Sequence, residues 1–360
     1  MSERHQDEPL VYIQRPGALA EIGRHLAPFT SRALIVAAPS AFAALRPEVE
    51  AALDAAGIAS VSLRFGGACT AGEIRRIAEA AMAADCDTVI GLGGGSALDA
   101  AKIAARHQGA ALVSVPTAAA STAATTAFGI VRPAAGMPAH VVACHRPAEL
   151  VLVDSAVIAA APARLLAAGM GGVLARICEA EMEPESGSAQ AGLVVAAACH
   201  DALMRDGRAA IAAAASGRMS RALETLIEIN LLWAGRIGSD SAEPAAMGIA
   251  DALAVLGPGR AFFHGETAAF GAIALLVLGD RAEHAINEVL DLSIDLGLPT
   301  TLADLGFGDI SSAGMARVGE AAMHAGSPLR RIAAATSPAA VADAIRTASR
   351  LAEGRRRRAA

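Results

Sequence analysis

The chain has 360 residues, of which 54% are hydrophobic, 18% charged and 3% aromatic, with a net charge of −6. This length predicts two domains, and the apolar fraction excludes an intrinsically disordered chain. The acidic balance and the scarcity of aromatic side chains argue against a nucleic-acid partner, because nucleic acids favour basic and base-stacking surfaces.

Short β-rich runs alternate with helical stretches through the first half of the chain. Strands are predicted over residues 33–37, 60–64, 88–92 and 111–115, and helices over residues 47–56, 72–84 and 96–107. Alternation of this kind is typical of a parallel sheet with helices on both faces. The first half is therefore predicted to be an α/β nucleotide-binding domain of the Rossmann-like kind.

The second half reads almost entirely as helix. Asp154-Ser155 and Pro162 are helix-start signals, and little strand signal follows residue 155. Helices are predicted over residues 163–181, 190–203, 220–233, 243–255 and 264–278. We predict an α/β domain over residues 1–160, an all-helical domain over 161–350 and a basic tail over 351–360.

The basic tail contains four consecutive arginines, Arg355 to Arg358. Such a run at a chain end is usually a solvated, frayed segment. Docking to an acidic partner is the alternative.

Features that report on location are few. The first residues are polar and charged, unlike a signal peptide, and the longest apolar runs, such as 268–278, are too short to cross a bilayer. Cysteines at positions 69, 86, 144, 178 and 199 show no CxxC spacing, which is typical of a reduced compartment. We expect a cytoplasmic protein without a membrane partner.

A glycine run stands between a predicted strand and a predicted helix. It reads Gly93-Gly94-Gly95-Ser96, and Asp99 and Lys102 follow on the helix. Glycines let a backbone pass close to a phosphate, and a helix N-terminus offers N–H groups and a positive dipole end. The pattern is neither G-x-G-x-x-G nor a Walker A loop. It predicts a pyrophosphate site. The alternatives are a tight turn without ligand and, for Asp99 and Lys102, a surface pair at i, i+3.

A second candidate segment follows the next strand. Pro116-Thr117 ends that strand, and a run rich in Ala, Ser and Thr, including Ser121 and Thr122, continues to residue 127. Small and hydroxylated residues at the carboxyl end of a strand suit a cofactor crevice. An ordinary small-residue loop is the other interpretation.

Five sequence blocks occur in the order seen in glycerol dehydrogenases. They are FGGACTAGEIRR (65–76), VIGLGGGSALDAAK (89–102), SVPT (114–117), VDSAVIAAAPARLLAAGMGG (153–172) and FFHGETAAFG (262–271). YIQRPGAL (12–19) and LGLPTTLADL (296–305) extend the match, which covers residues 11–345. The chain therefore resembles the glycerol dehydrogenase branch of the iron-containing (group III) alcohol dehydrogenase family.

The resemblance implies a dehydroquinate synthase-like architecture, with a catalytic cleft between a nucleotide-binding domain and a helical domain. It also implies NAD or NADP as cofactor, a homo-oligomer, and one divalent metal, zinc or iron, held by an Asp and two His. Such a metal polarises the substrate oxygen and lowers the pKa of the hydroxyl.

The metal-ligand pattern is where this chain departs from the family. Gly172 stands at the Asp position, and Met247, or Ala246 beside it, stands at the first His position. No histidine occurs between His200 and His264, so His264 is the ligand that remains. One imidazole does not hold zinc or iron tightly.

A bound metal is therefore doubtful on the sequence alone. Asp251, Glu243 or Glu266 are conceivable replacement ligands, and Asp251 is placed i+4 from Met247. We expect His264 to be the catalytic residue, as a proton donor or acceptor.

Two smaller departures concern substrate and cofactor. The family often has an acidic residue near the substrate where this chain has Ser121-Thr122-Ala123, so glycerol is a doubtful substrate. It often has an Asp after the first strand, where this chain has Ala37-Ala38-Pro39-Ser40, so NAD and NADP both stay open.

Three functions are compatible with these features. The first is an NAD(P)-dependent oxidoreductase that acts, without the usual metal, on an alcohol or carbonyl group of a small-molecule or peptide substrate. In it, Lys102 and residues 93–96 hold the cofactor phosphates, and Thr117, Ser121 and Thr122 face nicotinamide and substrate. The second is a non-catalytic partner subunit of another enzyme in a biosynthetic complex. A sugar-phosphate cyclase of the dehydroquinate synthase type ranks last, because no lysine occurs between residues 163 and 264.

Overall fold

The computed structural model describes residues 11–132, 140–144, 146–182, 189–237, 244–257 and 261–359. The chain divides into two compact units. Unit 1 comprises Met1–Pro162 with Gly217–Met219, and unit 2 comprises Ala163–Ser216 with Ser220–Ala360.

The described part of unit 1 contains a six-stranded parallel sheet and a two-stranded antiparallel pair. The strands are β1 (Val11–Arg15), β2 (Arg32–Ala37), β3 (Ala59–Arg64), β4 (Thr88–Gly93), β5 (Ala111–Pro116), β6 (Phe128–Val131), β7 (His140–Ala143) and β8 (Leu150–Asp154). The large sheet has the order β1-β8-β5-β4-β2-β3, and β6 pairs with β7. This confirms the predicted parallel sheet.

Within the same described residues, six α-helices accompany these strands. They are α1 (Ile22–Leu26), α2 (Pro39–Ala44), α3 (Arg46–Ala55), α4 (Ala71–Ala83), α5 (Gly95–Gln108) and α6 (Ser155–Ala159). The central strands are buried along almost their whole length, since α1 and α3 pack on one face and α4 and α5 on the other. Burial on both faces explains why these strands read as unbroken apolar runs rather than as alternating ones.

The order of the strands creates a switch point between β2 and β4. From β2 the chain passes outward to β3 and then returns to β4 on the other side of β2. In open α/β sheets, ligands bind beyond the carboxyl ends of the strands at such a point. The Ala38 N–H donates to the carbonyl of Leu92 at 2.9 Å, so the segments that follow the two strands are adjacent there.

Unit 2 is helical throughout its described residues, which confirms the all-helical prediction. Its helices are α7 (Ala163–Met182), α8 (Ala189–Ala215), α9 (Arg221–Glu228), α10 (Ala245–Ala252), α11 (His264–Leu278), α12 (Glu283–Asp295), α13 (Ser312–Ala322) and α14 (Pro338–Ala359). None of the described helices combines the length and apolar character of a membrane span.

Glycines let α7 and α11 approach backbone to backbone. A Cβ on Gly265 would collide with the carbonyl of Ala168, and a Cβ on Gly171 with the carbonyl of Gly265. Larger residues at these positions would push the two helices apart, since interiors are close-packed. This contact fixes the start of α11 beside the middle of α7.

Three of the helices predicted in unit 2 differ in their bounds from the observed ones. The helix predicted over 190–203 continues to Ala215, and the one predicted over 220–233 gives way to a single π-helical turn, Ile229–Trp233. The helix predicted over 243–255 spans Ala245–Ala252 and tightens into a 3-10 turn, and residue 243 lies outside the described residues. The elements that were not predicted are β1, β6, β7 and β8 among the strands and α1, α2, α12, α13 and α14 among the helices.

The basic segment at the end of the chain is not a frayed tail. Helix α14 continues through it to Ala359. Arg355 forms a bidentate pair with Asp291, at 2.7 and 2.6 Å, and Arg356 pairs with Asp304 at 2.8 Å. The tail prediction is wrong because these carboxylates are distant in sequence and give the arginines partners.

Candidate functional site

The glycine run lies at the switch point, where β4 ends and α5 begins. Gly94 is the N-cap residue of α5, and no side chain caps this helix end. No described atom lies within 4 Å of the place where a Cβ on Gly94 would stand. An uncapped helix N-terminus that faces open space presents N–H groups and a positive dipole end to an anion.

The neighbouring glycines are needed for close packing. A Cβ on Gly93, whose φ is +158°, would lie 2.6 Å from the Cβ of Ala38. One on Gly95 would lie 2.9 Å from Oγ of Ser121. The glycines therefore bring three segments, after β2, β4 and β5, into contact around the start of α5.

Lys102 is buried, with a relative exposure of 2%. Its Nζ donates to the carbonyl oxygens of Ala123 and Phe128, both at 2.7 Å, and lies 3.3 Å from Oδ1 of Asp99. A charge this deep is tolerated because it is paired and hydrogen-bonded. The surface-pair interpretation of Asp99 and Lys102 is wrong, since both side chains are buried.

Asp99 completes this buried cluster. Its Oδ2 accepts from the N–H of Ile130 at 3.2 Å. Burial raises the pKa of the Asp99 carboxyl above its usual value, and the Lys102 ammonium opposes that rise. The pair connects α5 to residues 123–130. The contacts of the Lys102 ammonium therefore position this loop, rather than a phosphate.

The loop held by Lys102 carries the other predicted cofactor residues. Pro116 is buried, Thr117 and Thr122 are half-buried and Ser121 is exposed. The Thr117 N–H donates to the carbonyl of Gly93 at 3.0 Å. These residues and the glycine run are thus grouped at one edge of the sheet, as the sequence predicted.

The segment after β2 borders the same edge. Pro39 and Ser40 are exposed, and α2 begins at Pro39. No carboxylate stands at positions 37–40.

In unit 2, His264 is the first residue of α11 and is exposed. Glu266, two residues later, is buried at 2% exposure and pairs with Arg164 of α7 through two hydrogen bonds, Nε to Oε1 at 2.6 Å and Nη2 to Oε2 at 2.9 Å. Oε2 also accepts from the Phe263 N–H at 2.7 Å. The guanidinium carbon of Arg164 lies 5.0 Å from the centre of the Phe263 ring. The pair ties the start of α11 to α7 and so fixes the backbone that carries His264.

Sequence reasoning did not identify the Arg164–Glu266 pair. The two residues are 102 positions apart, and no local pattern joins them. A glutamate in the first turn of a predicted helix was the available signal, because such a residue often caps the helix.

Gly172 and Met247 stand where the resemblance places metal ligands. Gly172 lies next to the start of α11, because its backbone nitrogen is 3.2 Å from the position of a Cβ on Gly265. Within the described residues, no atom lies within 4 Å of a Cβ built on Gly172. Met247 is buried on α10.

The conceivable replacement ligands differ in their positions. Both oxygens of Glu266 are already bonded to Arg164, so Glu266 is not available as a ligand. Asp251 lies on α10 and is exposed, and Glu243 lies outside the described residues. In the described part of the chain, no three His, Cys, Asp or Glu side chains are grouped to hold a metal.

Comparison with known proteins identifies relatives that cover most of the chain. Residues 9–155 match the family model described as iron-containing alcohol dehydrogenase. A glycerol dehydrogenase of Escherichia coli O6:H1 is 32% identical, covering 93% of this chain and 94% of its own length. A glycolaldehyde reductase of Halobacterium salinarum is also 32% identical, covering 97% of each. The crystal structure of a probable glycerol dehydrogenase from Sinorhizobium meliloti 1021 is 35% identical, with a TM-score of 0.87 over 96% of this chain and 98% of that one.

Proposed function

The chain belongs to the iron-containing alcohol dehydrogenase family, among its glycerol dehydrogenase-like oxidoreductases, and from this premise we propose that it interconverts an alcohol and a carbonyl with NAD(P) and without a divalent metal. The observation that carries the metal-free part is the pair of residues at the implied ligand positions, a glycine and a buried methionine.

The cofactor half of the proposal rests on the start of α5. Gly94 to Ser96 would hold the pyrophosphate through backbone N–H groups, with Thr117, Ser121 and Thr122 beside the cofactor. NAD(P), when bound, supplies or accepts the hydride. Lys102 holds the loop in place through its bonds to the carbonyl oxygens of Ala123 and Phe128. Residues 37–40, at the end of β2, contain no carboxylate to repel a 2′-phosphate, so we propose that NADPH is accepted as well as NADH.

The donor set in unit 2 does not fit the Asp-His-His site that the resemblance implies. Gly172 has no side-chain donor atom, and the thioether of Met247 is not among the Cys, His, Asp and Glu side chains that hold catalytic zinc. Glu266 is committed to Arg164. The proposed reaction therefore has no step that depends on a metal.

His264 is proposed to carry the proton. It is exposed at the N-terminal end of α11, on a backbone anchored by Glu266. In the reducing direction its imidazolium would give a proton to the new hydroxyl oxygen, and in the oxidising direction the neutral ring would take it.

The proposed substrates are activated carbonyls. Without a metal, a substrate whose own electron-withdrawing group polarises the carbonyl is reduced more readily. Glycerol is less favoured, because residues 121–123 carry no acidic side chain to hold its hydroxyls. A relative named glycolaldehyde reductase makes a small hydroxyaldehyde a natural first substrate to test.

Calorimetric titration with NADH and NADPH, followed by turnover with glycolaldehyde and other carbonyls, tests the proposal. We expect micromolar binding of at least one cofactor, and a loss of turnover of about 100-fold in His264→Ala. His284→Ala, an exposed histidine of α12, is the matched control and should behave like the wild type.

A non-catalytic partner subunit is the second candidate, favoured by the same missing ligands. It predicts no turnover with any carbonyl, with or without bound cofactor. If neither NADH nor NADPH binds, the oxidoreductase proposal fails and a complex with another enzyme becomes the object of search.

A further inference from the structure

Arg176 lies on α7 four residues after Gly172, so the two positions are about 40° apart around the helix. Arg176 is half-buried, whereas most residues around it are buried. Side chains on a helix lean toward its N-terminus, and the surface beside Gly172 is therefore within reach of a residue at position 176. Because a Cβ on Gly172 would meet no described atom within 4 Å, there is room there.

Contacts on either side of Arg176 locate it between the other two implied ligand positions. Gly172 lies beside the start of α11, where His264 stands. Glu179, three residues after Arg176 on the same face of α7, accepts from the N–H of Ala245 at 2.8 Å. Ala245 is the first residue of α10 and precedes Met247 by two positions. Arg176 therefore occupies the stretch of α7 between the starts of α11 and α10.

The implied metal site and this chain both place one positive charge at this stretch of α7. An aspartate and a divalent cation together carry one net positive charge. A glycine and an arginine, which is always protonated, also carry one. Arginine has fork-like donors suited to an oxyanion, and preorganised donors of that kind stabilise charge developing on a reacting oxygen.

We infer that Arg176 binds the substrate oxygen in place of the divalent metal. The oxygen would lie beside His264, on the face of α7 where Gly172 leaves room for it. The inference rests on the proposed oxidoreductase function and adds a catalytic residue to it. It also favours substrates with a carboxylate or a second oxygen next to the carbonyl, since a guanidinium can hold two oxygens at once.

The reduction then balances without a metal. As hydride reaches the carbonyl carbon, the C=O π pair moves onto oxygen, where the Arg176 guanidinium stabilises the negative charge. A proton from the His264 imidazolium completes the alcohol. The carbonyl carbon is reduced by two electrons and the nicotinamide is oxidised by two.

The test uses the full chain, treated with EDTA, as wild type, Arg176→Ala and Arg176→Lys. Arg205→Ala is the matched control, because Arg205 lies on α8, is largely exposed and pairs with Asp206. Turnover of glycolaldehyde is measured with and without added guanidinium chloride at millimolar concentration. Calorimetry gives the affinity for NADH, and then for oxamate in the presence of NADH.

We expect Arg176→Ala to lose about 100-fold in turnover and Arg176→Lys about tenfold, with NADH affinity unchanged. Added guanidinium should restore part of the activity of Arg176→Ala only, which a merely structural role would not allow. If the wild type turns over and Arg176→Ala does so at a rate within twofold of it, the inference is overturned and the proposed function stays intact. If no variant turns over, oxamate decides: binding to wild type but not to Arg176→Ala supports the cation site, and equal or absent binding overturns it.

Discussion

Two candidate regions of the molecule, one in each unit, differ in how well their residues fit what the family resemblance implies. At the carboxyl edge of the sheet in unit 1, the glycine run, the small-residue loop and the buried Lys102 fit together around an open helix N-terminus. At the start of α11 in unit 2, the helix packing is intact, yet two implied ligand positions hold Gly172 and Met247. Helix packing and metal ligation depend on different atoms, so intact packing at the start of α11 does not by itself imply a complete ligand set.

Lys102→Met should have the largest effect. It tests how much the buried pair with Asp99 stabilises the carboxyl edge of the sheet in unit 1. It leaves Asp99 buried without its cation, which costs about 3–5 kcal/mol of unfolding free energy. Urea denaturation measures this cost. Asp99→Asn combined with Lys102→Met should recover part of it, since no charge then remains buried. An unchanged unfolding midpoint in Lys102→Met would contradict the role assigned to this pair.

Gly94→Asp separates binding from stability at the same edge. No described atom obstructs the new side chain, and Asp is a good N-cap residue, so stability should stay equal or rise by a few tenths of a kcal/mol. NADH affinity should fall by about 100-fold, because the carboxylate repels the phosphates. Calorimetry and thermal unfolding measure the two quantities. Gly94→Ser, an uncharged cap, is the control, and equal losses in both variants would argue against a phosphate at this helix end.

Glu266→Gln tests the anchor of the other region. The neutral amide loses the charge-assisted pair with Arg164, and we expect about 1–3 kcal/mol of destabilisation. Turnover should fall about tenfold through the altered position of His264, with NADH affinity unchanged. Glu320→Gln, at an exposed position of α13, is the control. Normal turnover in Glu266→Gln would mean that His264 does not depend on this anchor.

Metal removal should have the smallest effect. Dialysis against EDTA should alter turnover by less than about twofold, and elemental analysis should find less than about 0.1 divalent metal per chain. One tightly held zinc or iron per chain, with activity lost on chelation, would show that unit 2 has rebuilt a metal site and would remove the contrast between the two regions.

Sequence reasoning identified the candidate residues of unit 1 from local signals, whereas it missed contacts that shape the start of α11 in unit 2. Gly93 to Ser96 were identified because a strand, a glycine run and a helix start are contiguous, and local signals suffice to place them. Strand β1 was missed because it is a short edge strand whose partner, β8, lies far along the chain. Arg164 was missed for the same reason, since its partner is on another helix.

By itself, the sequence determined the alternation of strands and helices, the all-helical second half, the position of the glycine run and the absence of histidine between His200 and His264. Each follows from local periodicity, backbone freedom or residue identity. Only the tertiary structure decided that Lys102 is a buried loop anchor, that Glu266 is bound by Arg164, and that Arg176 stands between the starts of α10 and α11. These are contacts between residues distant in sequence, and the packing of helices and strands brings them together.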